Sequence, residues 1–145
     1  MPAFKDRRFL PYSQQQMFDL VADVASYKDF LPWCLGTRVY NRREDGFDAD
    51  MIIGFKMFKE KIVSRVSLQE PNKVNVDYMD GPLKRLYNHW VFEPASEGCM
   101  VDFAVELEFK SRMLENLIGE VFTKATFRMI HAFEERAKDL YGTPK

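Results

Sequence analysis

Residues 111–141 carry an apolar stripe that only a partner as long as the helix itself can bury. At 100° per residue, Leu114, Leu117, Ile118, Val121, Phe122, Ala125, Met129, Ala132 and Phe133 fall within an arc of roughly 160°. A stripe that wide must face a core. Ser111 is placed to cap the helix, and Gly142 and Pro144 are stop signals. About 30 helical residues span about 45 Å, and a sheet of six or seven strands is roughly 30 Å across. One helix can therefore cross a whole sheet.

The chain ahead of that helix supplies the sheet. Phe47, Ala49, Met51, Ile53, Phe55 and Met57 share one parity, with Asp48, Asp50 and Lys56 on the other. Ile62, Ser64, Val66 and Leu68 alternate likewise, followed by Val74, Val76 and Tyr78, then Leu86, Asn88, Trp90 and Phe92. The clearest run is Val101, Phe103, Val105, Leu107 and Phe109, set against Asp102, Glu106, Glu108 and Lys110. Period-2 patterning with one polar face predicts antiparallel strands wet on one side. Asp45-Gly46, Pro71-Asn72, Asp80-Gly81-Pro82 and Glu97-Gly98 are the turns between them.

Ala3–Leu10 reads as a first strand ended by Pro11. Ser13 and Gln16 have the spacing of a capping box, and Met17, Val21, Val24 and Ala25 then recur at helical spacing to about Ser26. A second short helical piece covers residues 27–31 and stops before Pro32. The expected class is α+β: a curved antiparallel sheet of six to seven strands around a long C-terminal helix, with two small helices after the first strand. A twisted sheet curls away from a straight helix, so a gap between them is a natural cavity.

The 145 residues fit a single domain, 1–145. The net charge of −1 gives no footprint for DNA. Arg42, Arg43, Lys56, Lys59 and Lys61 are the candidate local basic patch, with a solvated face as the plainer reading. Cys34 and Cys99 form no C-x-x-C pair and read as two buried free thiols. No signal peptide or membrane-length apolar run is present, so the expected location is the cytoplasm, with any membrane role peripheral to the inner membrane.

Two segments carry a resemblance to a known family. One is Leu20-Val21-Ala22-Asp23-Val24 followed by Tyr27 and Phe30-Leu31-Pro32-Trp33-Cys34; the other is Asp80-Gly81-Pro82-Leu83-Lys84-Arg85-Leu86-Tyr87-Asn88-His89-Trp90. The chain resembles the coenzyme Q-binding branch of the START-domain (polyketide-cyclase-like, SRPBCC) superfamily over essentially its whole length. The family pattern has an aromatic where Leu83 stands, which makes one pocket wall less aromatic here. The resemblance implies a helix-grip fold and binding of ubiquinone or a related polyprenyl lipid, in support of respiration or quinone synthesis. The same family contains ribosome-association toxins that contact the large ribosomal subunit.

The residues themselves offer little catalytic chemistry. His89 has outward parity and His131 sits beside the helix stripe; both read as surface or structural histidines. No nucleophile elbow, zincin motif or phosphate-cradling glycine loop is present. Asn88 points inward, either bonded to neighbouring backbone or donating to a quinone oxygen. Trp33 is either a core anchor or a rim on which a flat headgroup stacks. Phe55, Met57, Phe58, Trp90, Phe109, Leu117, Val121 and Phe122 are candidate walls, although plain packing is the commoner role for any one of them. Gly119 falls on the wet side of the helix. Phe127 and Ile130 fall outside the stripe, marking either a membrane or partner contact or packing against the N-terminal segment.

Typical pockets of about 300–1,000 Å³ hold roughly 10–30 heavy atoms, enough for a quinone headgroup and a few isoprene units. The expectation is a noncatalytic carrier of a hydrophobic small molecule, with no cofactor required. The alternatives are a ribosome-contacting protein and a cyclase or hydrolase on the same fold.

Overall fold

The computed structural model describes residues 3–55, 58–119 and 122–142. Seven strands form one sheet: β1 (Ala3–Leu10), β2 (Cys34–Arg43), β3 (Gly46–Phe55), β4 (Phe58–Gln69), β5 (Lys73–Asp80), β6 (Leu83–Ala95) and β7 (Gly98–Phe109). Their spatial order is β1-β7-β6-β5-β4-β3-β2, and every neighbour is antiparallel. β2 to β7 are successive hairpins, and β1 closes onto β7 with Leu10 opposite Cys99. Tight turns permit this. A Cβ at Gly98 would sit 2.2 Å from the Leu10 carbonyl oxygen, and one at Gly46 would sit 2.1 Å from that of Val66.

The small helices follow the capping chemistry. The Ser13 hydroxyl accepts from the Gln16 amide at 3.0 Å, and the Gln16 side chain accepts from the Ser13 amide at 2.9 Å. This starts helix α1 (Gln14–Ala22). The helix stops four residues sooner than its apolar spacing predicts. Asp23 leaves helical geometry at φ −83°, ψ 68° and accepts from the Ser26 hydroxyl at 2.7 Å. Such local side-chain bonds compete with the helical ladder. The second piece is a 3₁₀ helix, Val24–Asp29, rather than residues 27–31.

The C-terminal segment consists of α2 (Arg112–Gly119), with the Ser111 hydroxyl accepting from the Leu114 amide at 3.3 Å, and α3 (Phe122–Tyr141). The expected single helix over 111–141 is thus described as two stretches, and the residues joining them lie outside the described residues. Gly142, at φ 83°, closes α3 by donating to the Lys138 carbonyl at 2.8 Å.

The buried line of α3 is Phe122, Thr126, Ile130, Phe133 and Ala137, while Ala125, Met129 and Ala132 of the expected stripe are half-buried. Burial is turned toward Ile130 because β1 covers that side. Phe4 meets Phe127 edge-on at 5.1 Å, and Arg8 pairs with Glu134. Ile130 is therefore core, and the exposed Phe127 packs against the N-terminal strand. Gly119 is exposed, as its angular position predicts.

The core fills one half of the concave face. Trp90 lies 4.6 Å from Phe103 and 5.1 Å from Phe133, ring centre to ring centre, and stacks at 14° to Phe92. Phe18 of α1 closes on Phe92 from the other side. The Tyr27 hydroxyl donates to the Val21 carbonyl inside this core. Cys34 and Cys99 are buried free thiols, and burial pushes the Cys99 thiol up to about 11.

The convex face holds a departure from simple alternation. Asp48 and Asp50 have outward parity but are only 3% and 8% exposed. Asp48 accepts from the Asn41 amide at 3.0 Å, Arg65 at 3.1 Å and Arg43 at 3.2 Å. Asp50 accepts from the Tyr40 hydroxyl at 2.8 Å and pairs with Arg38 at 3.1 Å. Long polar side chains on β2 and β4 roof the short carboxylates of β3. The expected basic patch is also divided. Arg43 is committed to Asp48, and the β2–β3 turn lies at the opposite end of the sheet from Lys59 and Lys61.

The bond from Asn41 first, then Arg65 and Arg43, holds the Asp48 carboxyl down at about 2. An ordinary aspartate titrates near about 4. The stability this group contributes is therefore complete above about pH 4 and is lost as pH falls toward 2. In urea titrations at a series of pH values, Asp48→Asn is expected to lower stability at pH 7 and flatten the decline between pH 4 and pH 2. An unchanged acid slope would show that the cluster does not titrate on unfolding.

Candidate functional site

The concave face divides along the strand axis. Toward one end the rows are sealed: Val74, Trp90, Phe92, Val101 and Phe103 are buried beneath α1 and the last turns of α3. Toward the other end the same parity continues with apolar side chains that keep contact with solvent. Met51 and Ile62 are opposite one another, as are Leu86 and Leu107, and all four are half-buried. Val76, Val105 and Phe109 share that state, as do Leu117 and Ile118 of α2. Where two apolar layers touch, their facing side chains lose solvent. These side chains are only partly covered toward the end where β3 meets β4 and β5 meets β6, beside Leu83, Leu114 and Phe122, which are buried.

Asn88 stands at the boundary between the sealed and open halves. It is half-buried, its amide donates to the Ala104 carbonyl at 3.1 Å, and its oxygen accepts from the Trp90 indole at 3.2 Å. The backbone-bonded reading is thus the one seen. Asn88 fixes the Trp90 ring and keeps one amide hydrogen uncommitted by these two bonds. Tyr78 spans the β5–β6 turn, and its hydroxyl accepts from the Leu83 amide at 2.9 Å. Burial raises the Tyr78 phenol above its ordinary value. Ser64 is buried on the same face.

The other predicted site residues fall in different places. Trp33 is half-buried at the head of β2, where its carbonyl accepts from Gly54 at 2.9 Å. Leu83 and Phe109 face each other across β6 and β7 at the open end; Leu83 is buried and Phe109 half-buried. Leu117 is half-buried on α2 and Phe122 is buried at the head of α3. Trp90 is 5% exposed and belongs to the sealed core, not to an open wall. Phe55 and Phe58 pair at the β3–β4 turn, but their side chains, like Met57 and Val121 altogether, lie outside the described residues.

Sequence reasoning missed Met51, Ile62, Leu86 and Leu107 as wall residues. Their parity was clear, but which end of each strand the helices leave uncovered is a tertiary property.

Among the described residues, no ionisable acid–base pair stands among these half-exposed apolar side chains. At the β1 edge, Arg8 is bound by Asp6 at 2.7 Å and by Glu134, so the three charges are spent on one another. His89 is half-buried on the convex face, stacked on Tyr87 at 18° and bonded to Asn75; burial and then Lys73 lower its pKa. His131 is exposed. Among the described residues no cluster of His, Cys, Asp and Glu is placed to hold a metal ion, and no helix is long and apolar enough to cross a membrane. Two hollows lie away from these rows. One is a notch of about 340 Å³ between α1 and the β2–β3 turn; the other is a trough of about 620 Å³ on the convex face beside His89 and Arg7.

A curved seven-stranded antiparallel sheet gripping a C-terminal helix defines a helix-grip protein of the START-like class. The chain belongs to the family described as polyketide cyclase / dehydrase and lipid transport, which it matches over residues 10–134. It is 33% identical over 143 residues to the ribosome association toxin RatA of Escherichia coli, covering 98% of this chain and 90% of that one. It is 34% identical over 147 residues to the mitochondrial coenzyme Q-binding protein COQ10 homolog B of Xenopus laevis, covering 96% of this chain and 59% of that one. A START superfamily protein from Mycobacterium smegmatis has the same fold, with a TM-score of 0.77, 14% identity and coverage of 95% and 98%.

Proposed function

We propose that this protein binds and carries a nonpolar small molecule, a ubiquinone or related polyprenyl quinone, and performs no chemistry on it. The observation that carries this reading is the open half of the concave face. Apolar side chains of five strands and of α2 stay half-exposed there, although the same rows are sealed a few residues away. Leaving that surface wet is costly at roughly 25 cal/mol per Å², and an apolar ligand removes the cost. The similarity to a coenzyme Q-binding relative supports the quinone class.

In this reading the headgroup lies near Asn88, Ser64 and Tyr78, polar groups of concave parity that take no part in the Asp6–Arg8–Glu134 cluster at the β1 edge. The tail runs along Leu86, Leu107 and Leu117 toward the open end, with Trp33, Leu83, Phe109 and Phe122 around it. No cofactor is required. The spent charges of Arg8, Asp6 and Glu134 support a binding role over a cyclase or hydrolase one.

Mass spectrometry of an organic extract of the protein, purified from bacteria without detergent, tests the proposal. Stoichiometric quinone is the expected result. Absence of lipid, even after incubation with short-tailed quinones, would overturn it. The likeness to RatA over 90% of that protein's length favours a second reading, contact with the large ribosomal subunit. Co-sedimentation with ribosomal subunits at varied salt would reveal it, because contacts to RNA phosphates weaken steeply as salt rises.

A further inference from the structure

Asn88 is an amide whose two ends are fixed by partners of opposite kind. The Trp90 indole can only donate, and it donates to the Asn88 oxygen at 3.2 Å. The Ala104 carbonyl can only accept, and it takes one hydrogen of the Asn88 nitrogen at 3.1 Å. Turning the amide over would set donor against donor and oxygen against oxygen, so these partners fix its orientation. The oxygen is held at Trp90, which is buried in the sealed core. The nitrogen has a second hydrogen that neither bond uses, and Asn88 stands where the sealed rows give way to the half-exposed ones.

Trp90 is itself held in place, its ring packed among Phe92, Phe103 and Phe133. The core thereby sets the polarity of a group at its edge. Tyr78 has the same polarity: its oxygen accepts from the Leu83 amide at 2.9 Å, which leaves its own hydrogen to give. The Ser64 hydroxyl can donate or accept and favours neither. Acceptors of the same face are committed. The backbone carbonyls of β5, β6 and β7 beside Asn88 belong to antiparallel ladders, and Asp6 and Glu134 at the β1 edge are bound by Arg8. A quinone and its quinol differ in this very property. The quinone presents carbonyl oxygens, which only accept, whereas each hydroxyl of the quinol has a hydrogen that needs an acceptor. A donor left unpaired away from water loses its hydration and gains nothing in return.

We infer that the concave face discriminates the redox state of its cargo, holding the oxidised quinone through the free Asn88 N–H and releasing it on reduction to the quinol. This deepens the carrier reading and rests on it. Asn88 is the group that meets the headgroup, and Trp90 is a positioning residue that acts through Asn88. The preference also gives the carrier a place in a sequence of reactions. Quinone is collected where an enzyme has oxidised a quinol, and is given up where a quinone-reducing dehydrogenase adds two electrons and two protons.

Titration of the detergent-free protein with a short-tailed ubiquinone tests the inference, oxidised in one series and held anaerobically as the quinol in the other. The quinone is expected to bind at least about tenfold more tightly, the effect of one quinol hydrogen left without an acceptor. By linkage the bound couple then has a midpoint potential about 30 mV below that of the free couple, because tenfold is about 30 mV for a two-electron couple. Asn88→Leu should bring the two affinities together. Trp90→Phe keeps an aromatic ring in the core but lacks the indole donor, so the Asn88 amide is free to turn. It should narrow the preference while quinone is still taken up. If Trp90→Phe lowers both affinities in step and leaves their ratio unchanged, the positioning role of Trp90 is overturned. Equal affinities in the parent protein, or a preference for the quinol, would overturn the inference and leave the carrier reading standing. Binding of neither form would overturn both.

Discussion

Trp90→Ala is expected to lower the unfolding free energy by about 3–5 kcal/mol, the range for removing a buried aromatic ring. Three rings lose their partner at once, since Phe92, Phe103 and Phe133 all lie within 6.3 Å of it, ring centre to ring centre. The Asn88 oxygen also loses its indole donor. Domains of this size have about 5–15 kcal/mol in total, so the variant should unfold at much lower urea, measured by tryptophan-independent circular dichroism. A cost below about 1 kcal/mol would mean that the ring sits in a site able to collapse around its loss. Because Trp90 lies in the sealed half, the loss is one of stability first, with ligand binding affected through the fold and through Asn88.

Leu107→Asp should behave in the opposite way. Leu107 is half-buried in the open rows, opposite Leu86, and takes no part in the sealed cluster. A carboxylate there must be desolvated by an apolar ligand, which costs several kcal/mol without a partner. Retention of quinone is expected to fall at least about 100-fold, equivalent to about 2.7 kcal/mol. Stability should change by about 1 kcal/mol or less, as at most positions outside a core. Ala104→Asp is the control, because Ala104 lies three residues earlier in the same strand but faces the convex side, between Lys5 and His89. Equal lipid content in parent and Leu107→Asp would place the ligand elsewhere.

Much of the fold was legible because its signals are local. Alternation along residues 101–109 names the two faces of β7 whatever the strand packs against. Ser13 and Gln16 can only satisfy one another at the head of a helix, and they do. The errors lie where a neighbour decided. Asp48 and Asp50 read as wet by parity, yet Arg43, Arg65 and Tyr40 cover them from adjacent strands. Ile130 read as exposed on the helix alone and is buried because β1 lies on that side of α3.

The candidate site divides in the same way. Asn88, Phe109 and Leu117 were legible as inward-facing by period, while Trp90 was placed on a wall when it belongs to the core. Periodicity reports which way a side chain points, not whether anything stands opposite it.

The sequence by itself determined an antiparallel sheet of six to seven strands, the C-terminal apolar stripe and the inward sets of the strands from residue 47 onward. These follow from residue spacing and turn chemistry over a few neighbours. Only the tertiary structure decided which half of the concave face is sealed and which stays open. That property depends on where distant segments meet, and chain closure sets that through packing no local pattern encodes.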